Sequence, residues 1–391
     1  MAHRVGIYFA VLQLFFALTW TVYVIYLPRL AEQVGIPKQW VLWILLTDQL
    51  VFVVVDWLMG VYADRASKVV GRLGPQLARV TLLSALAFLL LPFIAPLASP
   101  LVFLLLTFVW TATSSALRAP PLVLLDKYVS HGDSHWMSGL WLFGTGMAGA
   151  LAPILTVALR DADARLPFVL SSIAVALSAW ALSWAERTLA AKPPVLRAPP
   201  ALRISIAAYL LVVLLVGLGY QIHSTLNSSP QYLRFAKPGE LVYLTPVFWI
   251  GFNLCVLPLT WVLRRVGEFH LLFAGAALGA VAAWFASAAG SIGMLVAAQL
   301  AAGAAWAAVM YGAFTAALAL GHSGREGYAS GGMFSMFALV TVARIAVVAL
   351  ALNQDAEFRA LLVHAPVLLW AAAALLLAGL LSTRRAKPAL A

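Results

Sequence analysis

The chain has 391 residues, 63% hydrophobic and only 10% charged, against about 25% charged in soluble proteins, which excludes an ordinary soluble domain. Its formal net charge of +11 would suit a nucleic-acid binder, but the basic residues fall in alternate loops rather than on one patch, which excludes that class. The single cysteine, Cys255, sits inside an apolar run and leaves no disulfide or Cys-based metal site to read.

Apolar runs of roughly 20 residues recur along the whole length, each long enough to cross about 30 Å of hydrocarbon. Twelve are predicted, over about 6–30, 40–63, 76–97, 100–124, 137–159, 166–188, 205–226, 241–263, 270–289, 291–320, 328–352 and 360–382. Apolar on all sides, they read as membrane helices, because in lipid only helices and closed barrels satisfy every backbone group, and the alternating strands of a barrel are not visible. The first is too long, and followed by too many others, for a cleaved signal peptide.

In chain order, segment one offers Gln13, Trp20 and Tyr23 among apolar neighbours. Segment two carries two acids, Asp48 and Asp56, and ends in a basic turn with Asp64, Arg65, Lys68, Gly71, Arg72 and Pro75. Segment four has Thr107, Thr111, Ser114 and Arg118 at three- and four-residue steps, one polar stripe, flanked by Trp110. Segment five holds Gly139, Gly144, Gly146 and Gly149, then Pro153, small residues that allow close helix approach. Residues 189–204, with Pro193, Pro194, Pro199 and Pro200, form the one long polar break and read as a cytoplasmic linker between a 1–188 half and a 205–391 half that ends in a short basic tail. Segment seven places Tyr220, His223, Ser224 and Asn227 on one helical face with Gln221 beside it; segment ten offers Trp306 and Tyr311, and segment eleven Arg344. Ionisable groups inside such segments cost about 2.5–3.5 kcal/mol at mid-helix, so Asp48, Asp56, Arg118 and Arg344 are expected to face protein or water.

The basic excess is topological. Arg65, Lys68, Arg72 and Arg79 share one loop, Arg187, Lys192, Arg197 and Arg203 the linker region, while Arg264, Arg265, Arg325 and the Arg384–Arg385–Lys387 tail mark the remaining even-numbered loops. The odd-numbered loops are mixed or nearly neutral, which puts both termini in the cytoplasm by the positive-inside rule. The halves also share local spacing. Gly132 leads to Ser138–Gly139 as Gly324 leads to Ser330–Gly331, and Arg72 and Gly74 match Arg265 and Gly267, as expected for a parallel repeat.

The turn after segment two resembles the loop between the second and third helices of the major facilitator superfamily of transporters. Asp64 and Gly71 stand seven positions apart and Asp56 precedes Gly60 by one helical turn, a longer spacing similar to that of the glycoside–pentoside–hexuronide cation symporters and the related sucrose carriers. Pro121 followed by Leu124–Leu125–Asp126–Lys127 resembles the end of the fourth helix in that branch. The resemblance implies a fold of twelve transmembrane helices in two pseudo-symmetric six-helix halves, with segments one, four, seven and ten lining a central cavity. Its implied lining is Gln13, Trp20, Tyr23, Trp110, Thr111, Ser114, Arg118, Tyr220, Gln221, Asn227, Trp306 and Tyr311, a set of rings, hydroxyls and amides that suits a polar organic solute or an amphipathic one.

Asp56 stands where that branch has an acid that helps bind the coupling cation, but Phe52 replaces the second acid one turn earlier, and Phe16 and Thr113 stand where its sugar-binding acids align. A lone carboxyl group can still carry a proton if no cation fixes it; the alternative is that Asp56 is a structural partner of Arg65 or Arg72. Asp48 and Arg344 lie at equal depth on helices that face each other in this fold. They read either as an ion-paired outer gate or as two independent groups reaching the cavity. Asp64, Arg65 and Arg72 are the expected gate at the cytoplasmic side. His223, with a reference pKa near 6.5, is either a proton site or a hydrogen-bonded polar residue.

The expected function is proton-driven uptake of a small polar organic solute by alternating access in a bacterial inner membrane, by a monomer. No cofactor or metal is expected beyond the coupling proton. The Gly-Pro-x-x-Gly-Gly signature of antiporters is missing from segment five, and no phosphate loop or hydrolase motif appears, so enzyme chemistry has no support. Two alternatives remain: a proton-driven exporter of amphipathic compounds, and a non-transporting membrane receptor or scaffold.

Overall fold

The computed structural model describes residues 2–67, 73–121, 123, 131–190, 204–321 and 324–382. Arg72 of the expected gate, residues 124–127, the interior of the expected linker and the basic tail lie outside the described residues. Among the described residues the chain is helical throughout its ordered elements. The first six segments are α1 (Ala2–Gln33), α2 (Val41–Ala66), α3 (Leu73–Ile94), α4 (Pro100–Ser114), α5 (His131–Ala158) and α6 (Arg165–Ala190). Six more follow: α7 (Ile206–Gln221, continued to Tyr232), α8 (in three pieces, Leu241–Leu244, Pro246–Val256 and Leu259–Val266), α9 (Glu268–Ser287), α10 (Ile292–Gly321), α11 (Glu326–Ala349) and α12 (Ala356–Ser382). Eleven of the twelve are long and apolar enough to cross a membrane; α6 contributes a shorter apolar stretch, Arg165–Leu177. It also runs to Ala190, two residues into the expected linker.

Helix α2 shows how the bilayer inverts the usual amphipathic pattern. Its buried stripe holds Leu45, Asp48, Gln49, Phe52, Asp56, Gly60 and Asp64, at the three- and four-residue steps of one face. Its exposed face is Trp43, Leu50, Val54, Trp57 and Leu58. The polar groups turn inward because hydrocarbon offers them no partner, and the apolar ones face lipid at no cost.

Besides the breaks in α8, two helices depart from regular geometry, each for a local reason. After Ser114 the backbone of α4 tightens to a 3-10 turn over Ser115–Leu117 and leaves helical geometry at Arg118, two residues before the Pro120–Pro121 pair. Pro120 has no N–H to donate to the Ala116 carbonyl four residues back, so segment four is not the continuous helix expected to residue 124. In α7 the turn Ile222–Asn227 widens to a π-helix just before Pro230, which has no N–H to offer Leu226. At the end of α8, Arg264 and Arg265 occupy the last turn and Gly267, at φ 80°, donates its N–H to Leu263 (2.9 Å) and stops the helix.

One set of packings occurs twice. In the first group α1 packs on α5 and α6, α3 on α4 and α6, and α2 on α4; in the second α7 packs on α11 and α12, α9 on α10 and α12, and α8 on α10. The groups meet through α2 with α11 and α5 with α8, an exchange of equivalent helices. The sequence-matched Gly139 and Gly331 both lie in this seam. A Cβ on Gly331 would meet the Asp56 carbonyl oxygen at 2.7 Å, and one on Gly139 the Tyr311 hydroxyl at 3.0 Å. At Gly60 a Cβ would run into the Gly327 carbonyl, so the α2 and α11 backbones touch there.

Gly60→Ala and Gly331→Ala should therefore each force α2 and α11 apart, at about 1–3 kcal/mol by overpacking. Thermal unfolding of the detergent-solubilised chain should show a lowered midpoint, while Gly290→Ala, which has nothing within 4 Å of the added methyl, leaves it unchanged. An unaltered midpoint for Gly60→Ala would rule out this backbone contact.

Candidate functional site: a central cavity and its buried charges

A cavity of about 410 Å³ lies between the two groups of helices. The first group lines it with Gln13, Phe16 and Trp20 of α1, Gln49 and Phe52 of α2, and Trp110, Ser114 and Arg118 of α4 and its terminal turn. The second group supplies Tyr220, Gln221 and Thr225 of α7, Trp249 of α8, Trp306 of α10, and Phe337, Thr341 and Arg344 of α11. Ring pairs form its walls. Trp20 stacks on Trp110 (centroids 6.1 Å apart, 17° between planes), and Tyr220 on Trp306 (4.1 Å, 4°).

Eight of the expected lining residues reach the cavity: Gln13, Trp20, Trp110, Ser114, Arg118, Tyr220, Gln221 and Trp306. Four do not. Tyr23 and Thr111 turn to Asp48, Asn227 donates to the Leu362 carbonyl (2.8 Å), and Tyr311 is held by the His135 carbonyl and Thr260. The polar stripe of α4 is thus divided, with Ser114 and Arg118 on the cavity and Thr111 on Asp48. The π turn breaks up the expected face of α7, so Tyr220 and Thr225 reach the cavity while His223 and Asn227 pack into the second group. Sequence reasoning missed Gln49, Phe52 and Thr341 because it drew the lining from segments one, four, seven and ten; Arg344 reaches the cavity as in the second of its two readings. Their spacing on the buried faces of α2 and α11 was the available signal.

The cavity is closed at the end that carries the basic loops. Trp141, Phe314 and Phe334 form its floor, with Trp141 4.8 Å and Phe334 5.5 Å from the Phe314 ring. Below the floor, Asp64 is buried and its carboxylate accepts the backbone N–H groups of Gly327 (2.6 Å) and Tyr328 (2.8 Å). These are the second and third residues of α11, the positions an N-cap side chain serves, and the local N-cap residue, Arg325, makes no such bond. Asp64 supplies the missing cap from the other half, and its charge meets the positive end of the helix dipole. Arg65 next to it is exposed. At the opposite rim of the cavity, Thr225 is exposed.

The intramembrane charges sort into three environments. Asp56 is fully buried and forms an ion pair with Arg118, Oδ2 to Nη1 at 2.7 Å, and not with Arg65. Arg118 is sandwiched between the Phe52 ring, 4.6 Å from the guanidinium carbon, and Phe334 at 5.3 Å. A proton carrier acting alone needs a carboxylate with no cation fixed to it, and Asp56 does not meet that condition.

Asp48 does meet it. Buried at 4% exposure, it accepts the Tyr23 hydroxyl (2.7 Å) and the Thr111 hydroxyl (3.0 Å), and no ion pair among the described residues includes it. It faces a second groove, of about 540 Å³, between α2 and α4. The expected Asp48–Arg344 pair is accordingly not formed: Arg344 lines the central cavity, and its Nε has no hydrogen-bond partner. His223 is buried in the second group, 3.1 Å from the Gln299 side-chain oxygen and beside the Trp370 ring. Among the described residues no cluster of His, Cys, Asp or Glu is arranged to hold a metal ion.

Neither a protein-family model nor a curated protein matches the chain. Solved structures do. The human organic anion transporter MFSD10 (TETRAN) is similar at a TM-score of 0.71 and 14% identity, over 96% of this chain and 99% of that one. A bacterial homologue of the iron transporter ferroportin, in an outward-facing state, gives 0.73 and 14%, over 97% and 100%. The major facilitator superfamily transporter FucP, in an outward conformation, gives 0.64 and 12%, over 96% and 98%. The likeness is one of fold, over nearly the full length of each chain. The chain has the major facilitator fold.

Arg118→Gln should strand the Asp56 carboxylate and destabilise the chain by about 3–5 kcal/mol, the cost of an unpaired buried charge. Adding Asp56→Asn should recover most of that loss in thermal unfolding. A double variant as unstable as Arg118→Gln alone would show that the two charges are not coupled.

Proposed function

We propose that the chain is a secondary active transporter that moves a small organic solute by alternating access, with a proton as the coupling ion. The observation that carries this reading is the central cavity, lined from both halves and sealed at one end by contacts that close α2 on α11 and α5 on α8 and α10. On this reading the basic end is cytoplasmic, both termini lie there, and the conformation described is the outward-facing one. The missing antiporter signature favours uptake over export. Sugar recognition by paired acids, as in the symporter branch, has no support. Phe16 lines the cavity, Thr113 bonds back to its own helix, and no carboxylate is among the lining residues. The aromatic walls favour an amphipathic solute over a purely polar one, which keeps export of amphipathic compounds as a second reading.

For the coupling proton, Asp48 is the stronger candidate, because no cation offsets its charge and two hydroxyl groups can follow a change in its protonation. Asp56 serves to hold Arg118 at the inner end of the cavity. In proteoliposomes with an imposed pH gradient, tested against a panel of organic solutes, the wild type should accumulate a solute. Asp48→Asn should abolish accumulation and leave solute exchange, because exchange needs no net proton release. Accumulation that survives in Asp48→Asn and fails in Asp56→Asn would return the coupling role to Asp56.

Asp64→Asn should slow turnover more than it weakens solute binding, since the side chain caps α11 only when the basic end is closed. A cap of this kind is worth about 1 kcal/mol, or several-fold in the population of the closed state. Equal losses of binding and turnover would count against the gating role.

A further inference from the structure

We propose that the transported solute is an organic anion, with its negative group held by Arg344 and its apolar or aromatic body lying between the ring walls. This rests on the transporter reading and adds the substrate class to it. The cavity lining includes two guanidinium groups and no carboxylate. The charge of Arg118 is already answered by Asp56 at 2.7 Å. That of Arg344 is not: among the described residues no ion pair includes it, and its Nε is a buried donor without an acceptor. Asp48 has both carboxylate oxygens engaged by Tyr23 and Thr111, and those of Asp64 accept the N–H groups of Gly327 and Tyr328. Gln221, an amide of the same cavity, donates to Thr341 (2.8 Å) and brings no charge.

A guanidinium withdrawn from bulk water with nothing to offset it is a costly arrangement, and such groups inside a bundle are found where they serve a ligand. A carboxylate completes it with two parallel hydrogen bonds in the fork of the guanidinium, a geometry that lysine does not reproduce. Position supports this assignment. Arg344 lies ten residues along α11 from Phe334 of the floor, roughly 15 Å at about 1.5 Å per residue, so the anion is met well before the seal. The stacked Tyr220–Trp306 and Trp20–Trp110 pairs line the same cavity, flat faces suited to an apolar body. A cationic solute would meet an unanswered positive charge, and a neutral one would leave it unanswered.

The test uses the full chain in detergent and in proteoliposomes, with three matched probe sets built on phenyl, naphthyl and indolyl bodies, each as a propionate, its primary amide and the corresponding propylamine. Binding is read by tryptophan fluorescence and by thermal shift. The acids should bind more tightly than the amides of the same body, and the amines least. Arg344→Gln should weaken the acids roughly 10- to 100-fold, the worth of one charge-assisted contact, and leave the amides unchanged; Arg344→Lys should fall between. The ligand-free Arg344→Gln chain should unfold at or above the wild-type temperature, because it loses a half-buried cation with no carboxylate partner. Should it not fold, Arg344→Lys carries the same comparison. Acids that bind no better than their amides, acids indifferent to Arg344, or no binding by any acid would each overturn the proposal. The liposome arm separates the two readings: transport of amides or amines independent of Arg344 removes the anion and keeps the transporter, while acid binding without transport of any probe does the reverse.

Discussion

The carboxylate of Asp64 on the first turn of α11 is the contact on which the rest of the closed end depends. Helix α11 begins at a residue, Arg325, whose side chain makes no cap bond, so the N–H groups of Gly327 and Tyr328 need an acceptor from elsewhere. Asp64 can reach them only because Gly60, one turn earlier, lets the α2 backbone touch that of α11. The cap and the glycine contact therefore stand or fall together. Separating the helices exposes the helix end and the Asp64 charge at once, which makes the closed arrangement a discrete state rather than one point on a continuum.

The same constraint, that hydrocarbon offers polar groups nothing, organises the first half. The inward stripe of α2 carries three acids, and each finds a different answer: two hydroxyl groups for Asp48, a guanidinium for Asp56 and a helix end for Asp64. Arg118 reaches Asp56 because α4 loses its helical geometry there, ahead of Pro120 and Pro121. Its guanidinium, flanked by Phe52 of one half and Phe334 of the other, then joins the floor of the cavity to the seam between the halves. Among the described residues no acid of the second half pairs with Arg344 as Asp56 pairs with Arg118 in the first.

The helices themselves were legible in the sequence, eleven of them among the described residues apolar and long enough to cross a membrane, because apolar length is a local property set by the bilayer. So was the inventory of costly residues: Asp48, Asp56, Arg118 and Arg344 each stand out against apolar neighbours. Which of them would meet was not legible. Asp48 and Arg344 have matching depth and opposite sign but take separate environments, since the rotation of each helix about its axis is set by packing and not by depth. The cavity lining was legible for eight rings, amides and polar groups; it failed at Asn227, which lies in a π turn, and at Tyr23 and Thr111, which bond Asp48 instead. It failed also at Tyr311, whose hydroxyl serves the seam between the halves. The sequence by itself thus determined which groups must be hidden from lipid. Only the tertiary structure decided what each is hidden against, because pairing depends on distances of a few ångströms between helices far apart in the chain.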